Sequence, residues 1–246
     1  MLGFNGGLIG KRRKQELTTP GLWLPNERAV ILAGDPFRDN VSLYLRMDGP
    51  DGSTVFTDSS SQARSVSAVG SAQVSSSVFK FGSGSASIPG PGSFLSITGH
   101  SSLVFPGDFS IDLFVRPAPD SLTGFKGILE IGSFSNGIFV RSSSNTNDMA
   151  YVNGVNLGSF ARFLTANTFS FIQVVRAGTA VTLAVDGVPR LFGTVSGTVN
   201  STGAGMTVGR VAAGAPEGFT GHIDELRVTD DVARDIVNPQ AAIPSY

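Results

Sequence analysis

Beyond about residue 41 the chain alternates apolar and polar positions with a period of two, the signature of half-buried strands. In "DFSIDLFVRP" the alternation places Phe109, Ile111, Leu113 and Val115 on one face. "TFSFIQVVRAGTAVTLAVDGVPRLF" supplies two further runs, with Val181, Leu183 and Val185 sharing a face ahead of Asp186-Gly187. An Asp-Gly pair tolerates the two positive φ angles of a type I′ turn, so it predicts a hairpin there. Asn136-Gly137 and Asn153-Gly154 repeat the signal between Ile138, Phe139, Val140 and Tyr151, Val152, and three such turns predict antiparallel sheets. The Ser-rich stretch 59–77 has Val66, Val69 and Val74, with Val78 just beyond, at strand-compatible spacings, and reads as strands with serine outward. Only "TDDVARDIVNP" reads as helical, a short terminal turn with Thr229 or Asp230 as N-cap and Pro239 past its end. Strand alternation also predicts Phe109, Phe114, Phe171 and Phe192 as core residues.

The first 40 residues depart from this pattern. A Gly-rich apolar tip is followed by the basic run Lys11, Arg12, Arg13, Lys14 and then "TTPGLWLPNERAVILAGDPFRDN" with three prolines. This predicts an N-terminal arm, 1–40, ahead of a globular domain, 41–246. Leu2, Phe4, Leu8, Ile9, Leu22, Trp23 and Leu24 are costly to leave in water, so they are the candidate docking residues. Their dock is either the chain's own sandwich or a partner protein. The tip places its apolar residues before its basic cluster, the reverse of a signal peptide.

Composition narrows the classes. Hydrophobic residues make up 41% and charged residues only 15% of the 246, so Ser, Thr, Asn and Gly must supply much of the polar surface, which suits strands. A formal net charge of −1 gives no electrostatic case for nucleic-acid binding. With no cysteine there is no disulfide framework, thiolate metal site or cysteine nucleophile. No stretch approaches the roughly 18 apolar residues of a membrane-spanning helix.

The ordered set "VSLYLRMDGPDGSTVFTDSS", "SVFKFGSGSASIPGPGSFLSI", "GDFSIDLFVRP", "VTLAVDGVP" and "GHIDELRVTDDVAR" resembles the LamG-like jelly-roll family of the concanavalin A-like lectin/glucanase superfamily, over residues 41 to about 237. The resemblance implies an all-β, antiparallel jelly-roll sandwich carrying an extended arm. Where many relatives open a strand with Trp-His, this chain has "NTFSFIQVV", which keeps apolar packing through Phe171 and Ile172. The segment "GKRRKQELTTPGLWLPNERAVILAGDPFRDNVSLYLRMDG" resembles the leaders of jelly rolls in virion proteins of tailed phages, marine phages especially. That likeness implies location in a phage particle, on head or tail.

Catalytic chemistry is not signalled. His100 and His222 are the only imidazoles, and neither adjoins a nucleophile elbow, so a surface or hydrogen-bonding role is expected of both. Adjacent Asp224 and Glu225 should point to opposite faces of the closing strand, unlike the paired acids of a glycosidase, and the Glu-x-Asp-x-Glu pattern of the jelly-roll glucanases is absent. Alternation places Asp224 on the face of Leu226 and Val228, inward, where an acid needs hydrogen bonds or a cation. The family resemblance nominates Asp58 and Asp224, with backbone carbonyls, for a structural Ca²⁺. The alternative needs no ion: Asp224 caps backbone amides, and Asp58 makes an Asx-turn with Ser60.

Together these readings predict a non-enzymatic virion structural protein, a capsid decoration or a tail, baseplate or fibre component. Its arm would anchor on other virion proteins while the jelly roll meets host-surface glycans, multiplied by a homo-oligomer or symmetric multi-copy assembly. The alternatives are a carbohydrate-binding or adhesion module of a cellular protein and a divergent glycan hydrolase. A version lacking residues 1–38 is expected to fold by circular dichroism yet fail to co-purify with particle proteins that retain the full chain. Unfolding of the truncated chain would instead make the arm part of the sandwich core.

Overall fold

The computed structural model describes residues 35–142, 147–211 and 217–236. Leu2, Phe4, Leu8, Ile9, Leu22, Trp23 and Leu24 therefore lie outside the described residues. Of the arm, residues 35–40 are described, and Arg38–Asn40 form one 3-10 turn leading into the first strand.

Among the described residues the strands in chain order are β1 (Val41–Leu45), β2 (Val66–Val69), β3 (Gln73–Ser75), β4 (Ser85–Ile88), β5 (Phe94–Ile97), β6 (Phe109–Pro117), β7 (Lys126–Ser133), β8 (Asn136–Ser142), β9 (Asn147–Val152), β10 (Val155–Ala161), β11 (Ser170–Ala177), β12 (Ala180–Val185), β13 (Val188–Thr194), β14 (Met206–Val208), β15 (Arg210–Val211), β16 (Glu217–Gly218) and β17 (Gly221–Asp230). The first sheet has the order β13, β12, β11, β6, β17, β4, β3, with β1 also on β17. The second runs β10, β9, β8, β7, β14, β5, β2, with β15 and β16 attached beside β7. Sequence neighbours sit in opposite sheets at several points, and the result is the all-β sandwich the strand pattern predicts.

Alternation explains the core. Phe109, Ile111, Leu113 and Val115 of β6 and Val181, Leu183 and Val185 of β12 share one buried cluster with Leu129 and Ile131 of β7 and Ile138 and Val140 of β8. Each such side chain contributes roughly 1.5–3 kcal/mol by leaving water. Asp186 and Gly187 have φ of 51° and 77°, and Asn153 and Gly154 have 49° and 76°, so both pairs make the I′ turns expected of them.

Four expectations are corrected. Asn136-Gly137 is not a turn: Ser133 pairs with Asn136, so Phe134 and Ser135 form the loop and Asn136 opens β8. Gly137 is required there by close approach, since a Cβ would come within 2.0 Å of the Ile131 carbonyl oxygen. Residues 229–230 are not a helix cap, because Thr229 and Asp230 still pair with Ser110 and Phe109 at the end of β17. No helix follows up to residue 236, and Pro239 lies outside the described residues. Phe192 is 60% exposed, for it points away from the core on β13, an edge strand with one buried face. Val78 belongs to no strand; its carbonyl instead accepts a hydrogen bond from the Ser85 hydroxyl at 2.5 Å.

The outer face of the first sheet carries a buried charge network. Asp112 stands between Gln173 and Arg227 in the ladder and accepts from Arg227 Nη2 at 2.7 Å, Arg227 Nε at 2.9 Å and Gln173 Nε2 at 3.1 Å. Arg227 also reaches Asp35, which accepts from Arg234 Nη2 at 2.8 Å. Residues 231–236 cross this face, the Ser110 hydroxyl donating to the Val232 carbonyl and accepting from the Arg234 amide. Burial opposes the Asp35 charge, but hydrogen bonds from Arg234 and the Phe37 amide and the charges of Arg234 and Arg227 outweigh it, holding its carboxyl below the usual range. Replacing Arg227 by Met strands the Asp112 carboxylate in a dry site, at a cost of about 3–5 kcal/mol. Urea unfolding of the Arg227→Met chain should show that loss, and the Asp112→Leu/Arg227→Met double variant should recover part of it.

Candidate functional site

The outer face of the second sheet carries a continuous row of side chains. Asn156 on β10 pairs with Tyr151 on β9, Tyr151 with Phe139 on β8, and Phe139 with Glu130 on β7. Glu130 pairs with Thr207 on β14, Thr207 with Ser96 on β5, and Ser96 with Ser67 on β2. Their chain neighbours Ala150, Val152, Ile138, Val140, Leu129, Ile131, Met206, Val208, Leu95 and Ile97 lie in the core, so the row faces away from it.

At the β8–β9 end the row becomes an aromatic cluster. Phe134, from the β7–β8 loop, has its ring centre 4.8 Å from Tyr151 and 5.9 Å from Phe139. The Arg141 guanidinium lies 4.2 Å from the centre of Phe125, 5.4 Å from Phe139 and 5.8 Å from Tyr151. Farther along, the Arg210 guanidinium lies 4.8 Å from Phe94. Phe139 is buried, but Phe134 is 40% and Phe125 47% exposed, so rings reach solvent beside planar cations and a line of hydroxyls. Such a surface offers apolar ring faces for stacking and O–H groups for hydrogen bonding. Alternation in "IFVR" and "MAYV" contains the signal for it, but only cross-strand register places Phe139, Arg141 and Tyr151 side by side.

The candidate metal residues lie elsewhere. Asp58 accepts from the amides of Tyr44, Ser60 and Arg64 and from the Ser60 hydroxyl, each at 2.9 Å. This is the Asx-turn reading with β1 tied in as well. Asp224 Oδ2 accepts from the amides of Lys80 at 2.7 Å and Phe81 at 3.1 Å, joining "VFKFG" to "GHIDELRV". The two carboxylates share no hydrogen-bond partner, and no set of three or more acidic or histidine groups able to hold a metal gathers among the described residues. The amide donors on both acids are the capping contacts of that alternative.

Two expectations about Asp224 are corrected by a bulge. Asp224 pairs with Phe114 and Arg227 with Asp112, so Glu225 and Leu226 together oppose Leu113, and Glu225 takes φ of 49°. Leu226 and Val228 enter the core, while Asp224 faces outward beside Phe81 and Phe114. Glu225 turns to that side too, accepting from the Tyr44 hydroxyl at 2.5 Å with Arg46 Nε at 3.8 Å. Asp224 Oδ1 is buried without a hydrogen-bond partner. Both histidines have hydrogen-bonding roles: His100 Nδ1 accepts from the Ser102 amide, capping a 3-10 turn, and His222 Nδ1 lies 3.0 Å from the Ser85 hydroxyl. Burial and the nearby Arg116 push the His222 pKa down.

Residues 89–235 match the family described as Concanavalin A-like lectin/glucanases superfamily. Solved structures with the same fold include the botulinum neurotoxin serotype D binding domain, 11% identical with a TM-score of 0.61 over 84% of this chain and 52% of that one. The binding domain of Paraclostridial Mosquitocidal Protein 1 is 14% identical with a TM-score of 0.62, over 81% of this chain and 51% of that one. The serotype D ligand binding domain in complex with N-acetylneuraminic acid is 11% identical with a TM-score of 0.60, over 85% and 50%. The chain spans about half the length of these structures. No curated protein matches it. Among the described residues no helix is long and apolar enough to cross a membrane.

The paired acids make stability depend on pH. Burial raises Glu225 from 4.5 to about 7, against the Tyr44 hydrogen bond and the Arg46 charge, and burial with the Glu225 charge raises Asp224 well above the usual range. Between those values the folded protein keeps a proton on Glu225 that the unfolded chain releases. The stability this proton gives is complete below about pH 4.5 and lost as pH rises through about 7, on the order of 3 kcal/mol. Thermal midpoints recorded from pH 5 to 8 should fall in the native chain and fall less steeply in Glu225→Gln.

Proposed function

We propose, from the premise that this chain belongs to the concanavalin A-like lectin/glucanases superfamily, that it is a non-catalytic binding domain that takes a saccharide on the outer face of its second sheet. One observation carries the reading: solvent-reaching Phe125 and Phe134 sit against Tyr151 and Arg141, in line with the hydroxyl row Thr207, Ser96, Ser67. Exposed aromatic patches of this kind mark interaction surfaces. A sugar ring presents apolar C–H faces and polar hydroxyl edges, which match ring faces and O–H groups respectively.

Hydrolysis is the weaker reading. A glycosidase needs two carboxyl groups about 5–9.5 Å apart across the scissile bond. Along the row described above, Glu130 is the one carboxylate, and it is buried. One solved structure of the same fold, the botulinum neurotoxin serotype D ligand binding domain, is in complex with N-acetylneuraminic acid, which supports saccharide binding as the class of function to test.

The finer reading places this domain on a phage particle through residues 1–40, with virion proteins as neighbours and symmetric copies supplying avidity. Its support is the resemblance of the leader sequence, and the truncation experiment already described tests it.

Immobilised oligosaccharides should retain the full chain, and Tyr151→Ala and Phe134→Ala should each weaken retention about tenfold, the scale of one lost aromatic contact of about 1.4 kcal/mol. Prolonged incubation should release no reducing sugar. Retention unchanged in both variants would move the site elsewhere on the domain.

A further inference from the structure

We infer that the outer face of the first sheet holds a second binding site, built by Lys80, Arg116 and His222, and that its ligand is a small phosphate monoester. The site is separate from the saccharide face and stands without that reading.

The row that builds it crosses four strands. Gln73 on β3 pairs with Ser87 on β4, Ser87 with His222 on β17, and His222 with Arg116 on β6. Their chain neighbours Val74, Ala86, Ile88, Ile223 and Val115 lie in the core, so the row faces outward. Arg116 is four residues along β6 from Asp112, which sets it about 13 Å from the Arg227 network. Between them Phe114 and Phe171 form an apolar bed, with Phe81 and Phe169 packed against it and only partly buried. Lys80 is exposed and stands over that bed, its Nζ 5.8 Å from the centre of Phe81 and 5.9 Å from that of Phe114. Among the described residues, no carboxylate forms an ion pair with Lys80 or Arg116.

Hydrogen bonding fixes the imidazole. The Ser85 hydroxyl has one proton and donates it to the Val78 carbonyl at 2.5 Å. At its 3.0 Å contact with His222 Nδ1 it must therefore accept, so the ring carries its proton on Nδ1. Nε2 is left as an acceptor, and burial and the Arg116 charge both oppose a second proton on the ring. Two cations and one acceptor select the anion. A planar guanidinium fork and a point-charge ammonium suit the oxygens of a tetrahedral oxyanion. The acceptor calls for an anion that brings a proton of its own. A phosphate monoester does so, because its second pKa is about 6 and its singly charged form keeps a P–OH. A sulfate ester has no such proton. The carbon part of the phosphate ester lies against Phe81 and Phe169.

The test is calorimetric titration of the full chain with phenyl phosphate, phenyl sulfate and inorganic phosphate at about pH 6, where much of a phosphate monoester is singly charged. Phenyl phosphate should bind about tenfold more tightly than phenyl sulfate, and more tightly than inorganic phosphate. Arg116→Gln should weaken phenyl phosphate about tenfold, and Arg116→Lys, which keeps the charge without the fork, should restore only part of the loss. Lys80→Gln should weaken it by a smaller factor. His222→Phe should bring phosphate and sulfate to within about threefold of each other. Arg38→Gln removes an equal charge from an exposed position elsewhere and should change nothing. Circular dichroism should match the native chain in every variant. Equal affinity of the native chain for phosphate and sulfate, a phosphate affinity that survives Arg116→Gln, an equal loss in Arg38→Gln, or no binding of any of the three compounds overturns the inference.

Discussion

Strand β17 must serve three neighbours, and the rest of the sandwich is arranged around how it does so. It pairs with β6 along its length, while its other edge is shared by β4 at residues 221–223 and β1 from residue 226. The handover falls on Asp224 and Glu225, and the bulge there is the local answer. One extra residue lets Ile223 and Leu226 both reach the core, and it throws two carboxylates onto the outer face. Asp224 then closes on the Lys80 and Phe81 amides ahead of β4, and Glu225 on the Tyr44 hydroxyl of β1. The acids fasten to β17 the two segments whose changeover made the bulge necessary.

The division of labour between the sheets follows. Polar residues on the outside of the first sheet are spent on internal ties, from Asp112 and Arg227 to Asp35 and Arg234. The outside of the second sheet leaves the rings of Phe125 and Phe134 partly exposed, beside β7 and β8. Family membership fixes the scaffold, and low identity to the solved structures leaves the chemistry to this chain's own residues.

Much of the fold was legible because period-two alternation and positive-φ turn pairs are local properties. Asp186-Gly187 and Asn153-Gly154 could be read without knowing any partner strand. Asn136-Gly137 shows the limit of that rule, since the same dipeptide serves close packing as well as turning. The bulge was not legible, because a glutamate at φ of 49° carries no compositional mark, and a single extra residue reverses the facing of Asp224. The candidate site was hidden for a related reason. Phe139, Arg141 and Tyr151 are unremarkable in sequence, and only the register between β8 and β9 assembles them, while the rule that phenylalanines on strands are core fails for Phe192 at an edge.

The Asp35–Arg234 ion pair has a mechanical meaning. Residues 35 and 234 lie at opposite ends of the jelly roll in sequence and are 2.8 Å apart in space. Separating the backbone at those two points breaks this ion pair ahead of the β1–β17 ladder, whose nearest register pair is Val41 with Thr229.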